Sequence, residues 1–598
     1  MLSLELAKKQ IDAWRVEDED CVSPRVKKLS PKLRTIAYSL LDRDAKGNAV
    51  TVSMENYEER NRARNDAIRH VDKLSAKERL TLFAAWFGDM ARDVETGWQF
   101  LKTSTYQPGD ARRSFRAPNN PEATLTMRDW WLRQLIRIVN SFRWGIVTPA
   151  WLAAWTPHLG YLADQDSVGR LLAALIDAGG PRGDELFDIV CQSVRGEHEI
   201  GAMGRHVSRA LLMASRPEGW ELMEKTLLAA QRQEGLRQVI LETVDEAHPE
   251  AFRRMLRLVR DHDLARFSAV VRAANVWFGL AWDSVSVRTV NATIDQVIGY
   301  LDDPKLREKA LRGDAPEGVF LALWSLAYDD AMASIPVAEK LLKHENVEIR
   351  FVAVLHLSQV CLPETGSARA AAMNDEDPRV ALCALQGSPF EEDEGSAAVE
   401  TADGHFERVE RLFQRLPAKS TKLKPLVWPW TEQKASREVV ASHLVRALGN
   451  RPPTALLPYL PSINTHHRAE VAKLLAQQKK WDRVTREAIL RLAGDASSDA
   501  REAAYEALGK VKLKPGESEI LECYLTRKTN DLRQGVLGAL LRQTDALAMA
   551  SAERLLESKN VLQRLAGLEI LRQLAQANRC RPACQHRAGV YRNDRKRL

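Results

Sequence analysis

A capping residue, an arginine four positions later and a leucine seven beyond that recur along the chain. They read Asn346/Arg350/Leu357, Asn464/Arg468/Leu475, Ser497/Arg501/Leu508, Thr529/Arg533/Leu540 and Asn560/Arg564/Leu571. The last four arginines are spaced 33, 32 and 31 residues apart. Three residues past each arginine stands a small or slim side chain: Ala353, Val471, Ala504, Val536 or Gly567. Positions at these spacings share one face of a helix, and Asn, Ser or Thr before them accepts from the free N–H groups of a helix start. The pattern predicts the second helix of a helical hairpin, with a narrow stripe where a neighbour approaches and a buried leucine two turns down. A period of this length means stacked hairpins. A sixth copy, Asp377-Pro378-Arg379-Val380, keeps the cap and puts proline at the first helical position. It has Ala381 in the arginine's place.

The fold class expected is all-α, an alpha-alpha superhelix of antiparallel helix hairpins. Helix starts are further marked where a cap precedes proline, at Ser23-Pro24, Ser30-Pro31, Thr148-Pro149, Asp303-Pro304 and Asp377-Pro378. Strand signals are few, and "NAVTV" at 48–52 is the one stretch considered. The organisation expected is a non-repetitive helical region over 1–125 and degenerate hairpins over 126–386. An acidic linker or loop over 387–405, clear repeats over 406–578 and a basic tail over 579–598 follow. The acidic stretch holds Glu391, Glu392, Asp393, Glu394, Glu400 and Asp403 with no Lys or Arg. "KSTKLKPLVWPW" at 419–430 reads as another break.

"SSDAREAAYEALGKV" at 497–511 and "DPRVALCAL" at 377–385 resemble HEAT repeats, the two-helix units of armadillo-like solenoids. In that family the turn residue and the second-helix arginine form a ladder along the stack. The resemblance makes Arg350, Arg468, Arg501, Arg533 and Arg564 the ladder candidates; the alternative is that each is a solvated helix residue. The last repeats, "LLESKNVLQRLAGLEILRQLAQANR" at 555–579 with "RAGVYRNDRKRL" after them, are similar to the N-terminal halves of large bacterial proteins of the MolR type, loosely described as molybdate metabolism regulators. The resemblance implies that the chain is the helical half and that a further C-terminal domain follows it in such proteins. It maps no catalytic motif. The absence of a polar capping face at the C-terminal end points the same way, to a piece of a longer or a truncated protein.

The chain has 598 residues, too many for one core unless each unit packs only on its neighbours. The start becomes acidic without an apolar signal core, and Val319–Tyr328 is about half a membrane span. Seven scattered cysteines suit a reducing compartment. A cytoplasmic protein without a membrane partner is expected. The net charge of +7 is local: the last 20 residues carry +6 of it, leaving the body nearly neutral.

The best candidate for chemistry outside the repeats is a basic and aromatic block. Arg112, Arg113, Arg116, Arg128, Arg133 and Arg137 would neutralise phosphates and Trp130 would stack on a base. The competing reading is packing, since Trp131, Leu135 and Ile138 follow helical spacing, and Trp151 and Trp155 form an i,i+4 pair. Asp129-Trp130 faintly resembles the pairing in HEAT-like DNA glycosylases. Glu197-His198-Glu199 with His206 lacks the second histidine of a zincin helix, because position 202 is Ala; surface histidines are expected. Cys580, Cys584 and His586 offer three ligands at the wrong spacing for structural zinc. "DAGGPRGDEL" at 177–186 lacks the Lys-Ser/Thr of a phosphate loop and reads as a hairpin turn before a helix capped by Asp184. No catalytic, cofactor or metal residue is assigned. The expected function is a non-catalytic interaction scaffold for a protein partner. Nucleic-acid binding through 102–143 and the basic tail is the alternative, and an enzyme with an unrecognised site is a third.

Overall fold

A computed structural model describes residues 24–40, 43–48, 50, 57–87, 91–103, 165–197, 204–280, 285–360, 363–387 and 404–595. The protein is all-α. It divides into two compact units, Met1–Thr365 with Pro425–Thr431, and Gly366–Lys424 with Glu432–Leu598.

In the first unit, proline opens helices where a cap precedes it. Pro31 starts the helix Pro31–Leu40. Asp303 accepts from Lys305 N at 2.9 Å and caps Pro304–Leu311. The apolar stretch 319–328 lies in the helix Pro316–Asp329, which is buried on all faces. At 1.5 Å per residue that helix is roughly 21 Å long. No described helix is long and apolar enough to cross a membrane. Trp324, with no exposed surface, stacks on Tyr328 and meets Phe252 and Phe278; Trp277 packs edge-on against Phe252. These rings are the core of this part of the unit, and aromatic pairs at such centroid distances add to area burial.

Pro425–Thr431 belongs to the same unit. Trp428 stacks on Trp430 with centroids 5.4 Å apart and meets Phe320 edge-on at 5.1 Å. The segment read as a break is therefore a packed element. Its flanks, β1 (Thr421–Leu423) and β2 (Gln433–Ala435), pair antiparallel with Thr421 opposite Ala435. Sequence had put its single strand candidate at 48–52, where only Asn48 and Val50 are described and neither is in a strand. Strands of three residues are too short for alternation to show.

The second unit carries the clear repeats. Their helices are α1 (Thr465–Ala476), α2 (Arg483–Leu492), α3 (Ser498–Gly509), α4 (Glu517–Tyr524), α5 (Asn530–Leu541), α6 (Asp545–Glu557), α7 (Val561–Gln576) and α8 (Arg581–Arg595). The second helices α1, α3, α5 and α7 pack in succession, and the first helices α2, α4 and α6 do the same. Leu475, Leu508, Leu540 and Leu571 are buried between them, as are Val471, Ala504 and Val536. A Cβ on Gly567 would lie 2.9 Å from the Ala552 carbonyl oxygen, so α6 and α7 approach backbone to backbone there.

Asn464, Ser497 and Asn560 cap their helices through side-chain oxygens; Asn560 accepts from Leu562 N at 2.8 Å. Asn346 does the same for Glu348 N, and Asp377 for Arg379 N. Thr529 stands at the cap position of α5 but its hydroxyl makes no capping bond. Within the basic tail, residues 581–595 form α8, packed on α7.

Candidate functional site

Each repeat arginine sits in the first turn of its helix and folds back over the turn that precedes it. Arg350 donates to the carbonyls of His344 and Glu345, both at 3.0 Å. Arg468 donates to Ile463 O at 2.8 Å, and Arg501 to Asp495 O and Ala496 O at 2.8 and 2.7 Å. Arg533 reaches Leu525 O at 2.9 Å, and Arg564 reaches Ser558 O and Lys559 O at 2.9 and 2.8 Å. A guanidinium supplies several donors in one plane, so one side chain satisfies carbonyls that a helix end leaves open.

Arg468, Arg501 and Arg533 also reach the next repeat. Arg468 bonds the Asp495 carboxylate at 3.1 Å, Arg501 bonds Asp531 at 3.0 Å, and Arg533 donates to Leu562 O at 3.0 Å. The four arginines of the second unit thus form a continuous edge, whereas Arg350 belongs to the first unit. A buried tyrosine adds a parallel tie. Tyr505 of α3 donates to Ala493 O at 2.7 Å, at the end of α2 in its own hairpin, and to Leu532 O of α5 in the next repeat at 3.3 Å. Burial holds its hydroxyl well above the ordinary tyrosine range.

Arg112, Arg113, Arg116, Arg128, Trp130, Arg133 and Arg137 lie outside the described residues, as do the Trp block to 155 and residues 388–403 of the acidic stretch. Part of the tail's positive charge is engaged within the unit. Arg579 pairs with Asp545 at 2.7 Å, and Arg587 faces Glu553 and Glu557 at 3.5 and 3.4 Å.

His206 corrects an expectation: it is 2% exposed, not a surface histidine, and neither ring nitrogen has a hydrogen-bond partner. Burial lowers its pKa to about 4. The helix Arg205–Met213 is buried from 206 to 213, so its polar residues do not mark a solvent face. His356 is also fully buried, with Nε2 3.0 Å from Ser334 Oγ and its pKa lowered to about 3 by burial. Asp184 is likewise not a cap. The helix begins at Gly180 with Pro181 in its first turn, and Asp184 inside it pairs with Arg216 at 2.5 Å.

Sequence reasoning missed a buried ionic cluster in the first unit. Arg209, with no exposed surface, lies 2.7 Å from the Glu246 carboxylate and 3.5 Å from Asp245; Arg170 donates to Glu246 at 2.6 Å. Gly169 permits it, since a Cβ there would lie 2.8 Å from Arg209 Cβ. Two cations meet two anions at a largely buried site, which suits a fold-fixing role. No sequence spacing announces such a cluster, because its members come from three elements. Among the described residues no three His, Cys, Asp or Glu side chains are grouped to hold a metal. Cys580 Sγ donates to Asp545 and the buried Cys584 Sγ faces Met549, so the tail cysteines make separate contacts.

The model of a family described as "Family of unknown function (DUF5724)" matches residues 36–597. The chain belongs to this family. The DUF5724 description names no activity, ligand or residue, so a functional reading rests on the geometry above. No curated protein matches the chain. Among solved structures, a chain of the "Homology model of the full-length AP-3 complex in an intermediate open conformation" is 10% identical over 89% of this chain and 96% of that one, with a TM-score of 0.28. At that score the likeness carries no argument about function.

Proposed function

We propose that the protein is a non-catalytic helical-repeat scaffold that binds a protein partner, working in the cytoplasm of a bacterium in a regulatory system of the MolR type. The observation that supports it is the arginine edge of the second unit. It holds successive hairpins in fixed register while its own charges are engaged with carbonyls and carboxylates. Stacked units of this kind present a long rigid surface, the usual use of such repeats. The similarity of residues 555–579 to MolR-type proteins supports the regulatory setting.

The test is affinity purification of the full chain from its own cells with and without nuclease. The scaffold reading expects one or a few proteins retained in both cases. Recovery of nucleic acid alone, with every protein lost on nuclease treatment, contradicts it and favours the basic block at 102–143.

A further inference from the structure

The second unit has two edges. The arginine ladder occupies the one at the N-termini of α1, α3, α5 and α7. The other is made by the turns that lead from a second helix into the next first helix: 477–482, 510–516, 542–544 and 577–580. These turns adjoin one another. Arg486, just after the first, donates to Lys512 O in the second at 2.8 Å and to the Glu517 carboxylate at 2.6 Å. Arg542 in the third lies over Gly509 at the end of α3. Arg579 in the fourth donates to Leu541 O and Gln543 O at 2.6 and 2.8 Å.

Along this edge Lys479, Lys480, Lys512, Lys514, Arg542 and Arg581 are all exposed, and none of them makes an ion pair. Of the acids nearby, the exposed Asp482 and Glu519 pair with no cation, and the others are engaged. Glu517 pairs with Arg486, Asp545 with Arg579 and Glu506 with Lys510, while Asp482 caps α2 through Thr485 N. With six unpaired cations against two unpaired acids, the edge is net positive on a chain whose body is nearly neutral.

A second row lies beside it. In the first turns of α2, α4 and α6 stand Val484, Ile520 and Leu547, exposed by 50%, 42% and 49%. These three first helices are consecutive neighbours, and one exposed apolar side chain per hairpin follows the last cation of the preceding turn by four to six residues. A phosphate backbone is bound through charge and hydrogen bonds, to which a row of exposed aliphatic side chains adds nothing. A protein segment that alternates carboxylates with apolar side chains gains from both rows: the cations steer and orient it, and the apolar contacts supply desolvated anchors.

We propose that this edge binds an acidic, apolar-studded segment of a partner protein, laid across the turns from 477 to 581. The proposal rests on the scaffold reading and gives it a partner chemistry. Four turns at ~10 Å spacing span ~30 Å, which an extended segment of about 9–10 residues covers.

The test pans a displayed library of random peptides about 12 residues long, a length that follows from the same span, against the full chain. In parallel it uses a variant carrying K479E, K480E, K512E and K514E, and a second carrying V484S, I520S and L547S. All seven side chains are exposed, so circular dichroism and melting should match wild type. Expected is enrichment of peptides that combine Asp/Glu with Leu, Ile or Phe, whose binding falls roughly tenfold or more on charge reversal and also weakens in the serine variant. No enrichment, or an enriched set without acidic character, overturns the proposal. Enriched peptides that bind all three proteins alike overturn the edge and leave the scaffold reading standing. A single-stranded oligonucleotide or phosphatidylserine vesicle that binds through the four lysines, with no peptide enriched, overturns both.

Discussion

Arg501 Nε lies 3.0 Å from the Asp531 carboxylate, joining the first turn of α3 to the first turn of α5 across one full repeat. The same guanidinium closes the turn behind it through Asp495 O and Ala496 O. The two partners are unequal: the Arg501 side chain is 5% exposed and that of Asp531 is 50% exposed. Arg501→Ala leaves two carbonyls without their donor, and is expected to cost ~2–4 kcal/mol. Asp531→Ala removes only a solvent-screened partner and is expected to cost less than ~1 kcal/mol. Urea unfolding followed by circular dichroism measures both. Equal losses would show that the carbonyl bonds contribute little.

Gly535 is where α5 makes room for Tyr505. A Cβ there would fall 2.3 Å from two ring carbons of a tyrosine whose hydroxyl is tied to two carbonyls. Gly535→Ala is expected to destabilise by ~1–3 kcal/mol. In a Tyr505→Leu background the added penalty should shrink, because the obstructing ring is gone. Melting temperatures of the two single variants and the double variant decide this.

Much of this architecture is legible in the sequence, for a physical reason. Caps, the arginine, the narrow position and the leucine are local demands of one helical hairpin, and a stack repeats them. Gly567 and Leu571 could be placed on a buried face from spacing alone. What is not legible is long-range. The two prolines that flank Trp428 spell a break, yet it packs on Phe320, which is more than a hundred residues earlier. The polar residues around His206 point to exposure, yet its helix is enclosed by elements whose arrangement no local pattern encodes. The positive edge is also invisible as a motif, since its cations fall in four separate turns and become a row only when the hairpins stack.

The Trp428 contact gives a prediction of its own. Trp428→Ala removes a ring that is 8% exposed and loses both the Trp430 stack and the Phe320 edge. A loss of ~3–5 kcal/mol is expected from a truncation of this size. Hydrogen exchange should show it as faster exchange in the helix Pro316–Asp329. Unchanged exchange there would mean that the tryptophan is an ornament of the hairpin and no part of the first unit's core.

His206 and His356 make the first unit acid-sensitive. Burial holds their folded pKa values at about 4 and about 3, below the ordinary value of 6.5. The unfolded chain therefore binds protons first as pH falls. Stability from these groups is full above about pH 6.5 and declines by about 1.4 kcal/mol per pH unit for each imidazole, until the folded values are reached. In His206→Leu the urea midpoint should change less between about pH 7 and pH 5 than in wild type. An identical slope would show that His206 does not titrate on unfolding.

The repeats of the second unit are held together by nearest-neighbour ties, with the arginine edge among the strongest. Native-state hydrogen exchange on the full chain carrying Arg501→Ala tests this most directly. Expected is lost protection in α3 and in its neighbours α2 and α5, with the helices Pro316–Asp329 and Val347–Val360 of the first unit unchanged. A uniform loss across both units, or no loss in α5, would contradict it.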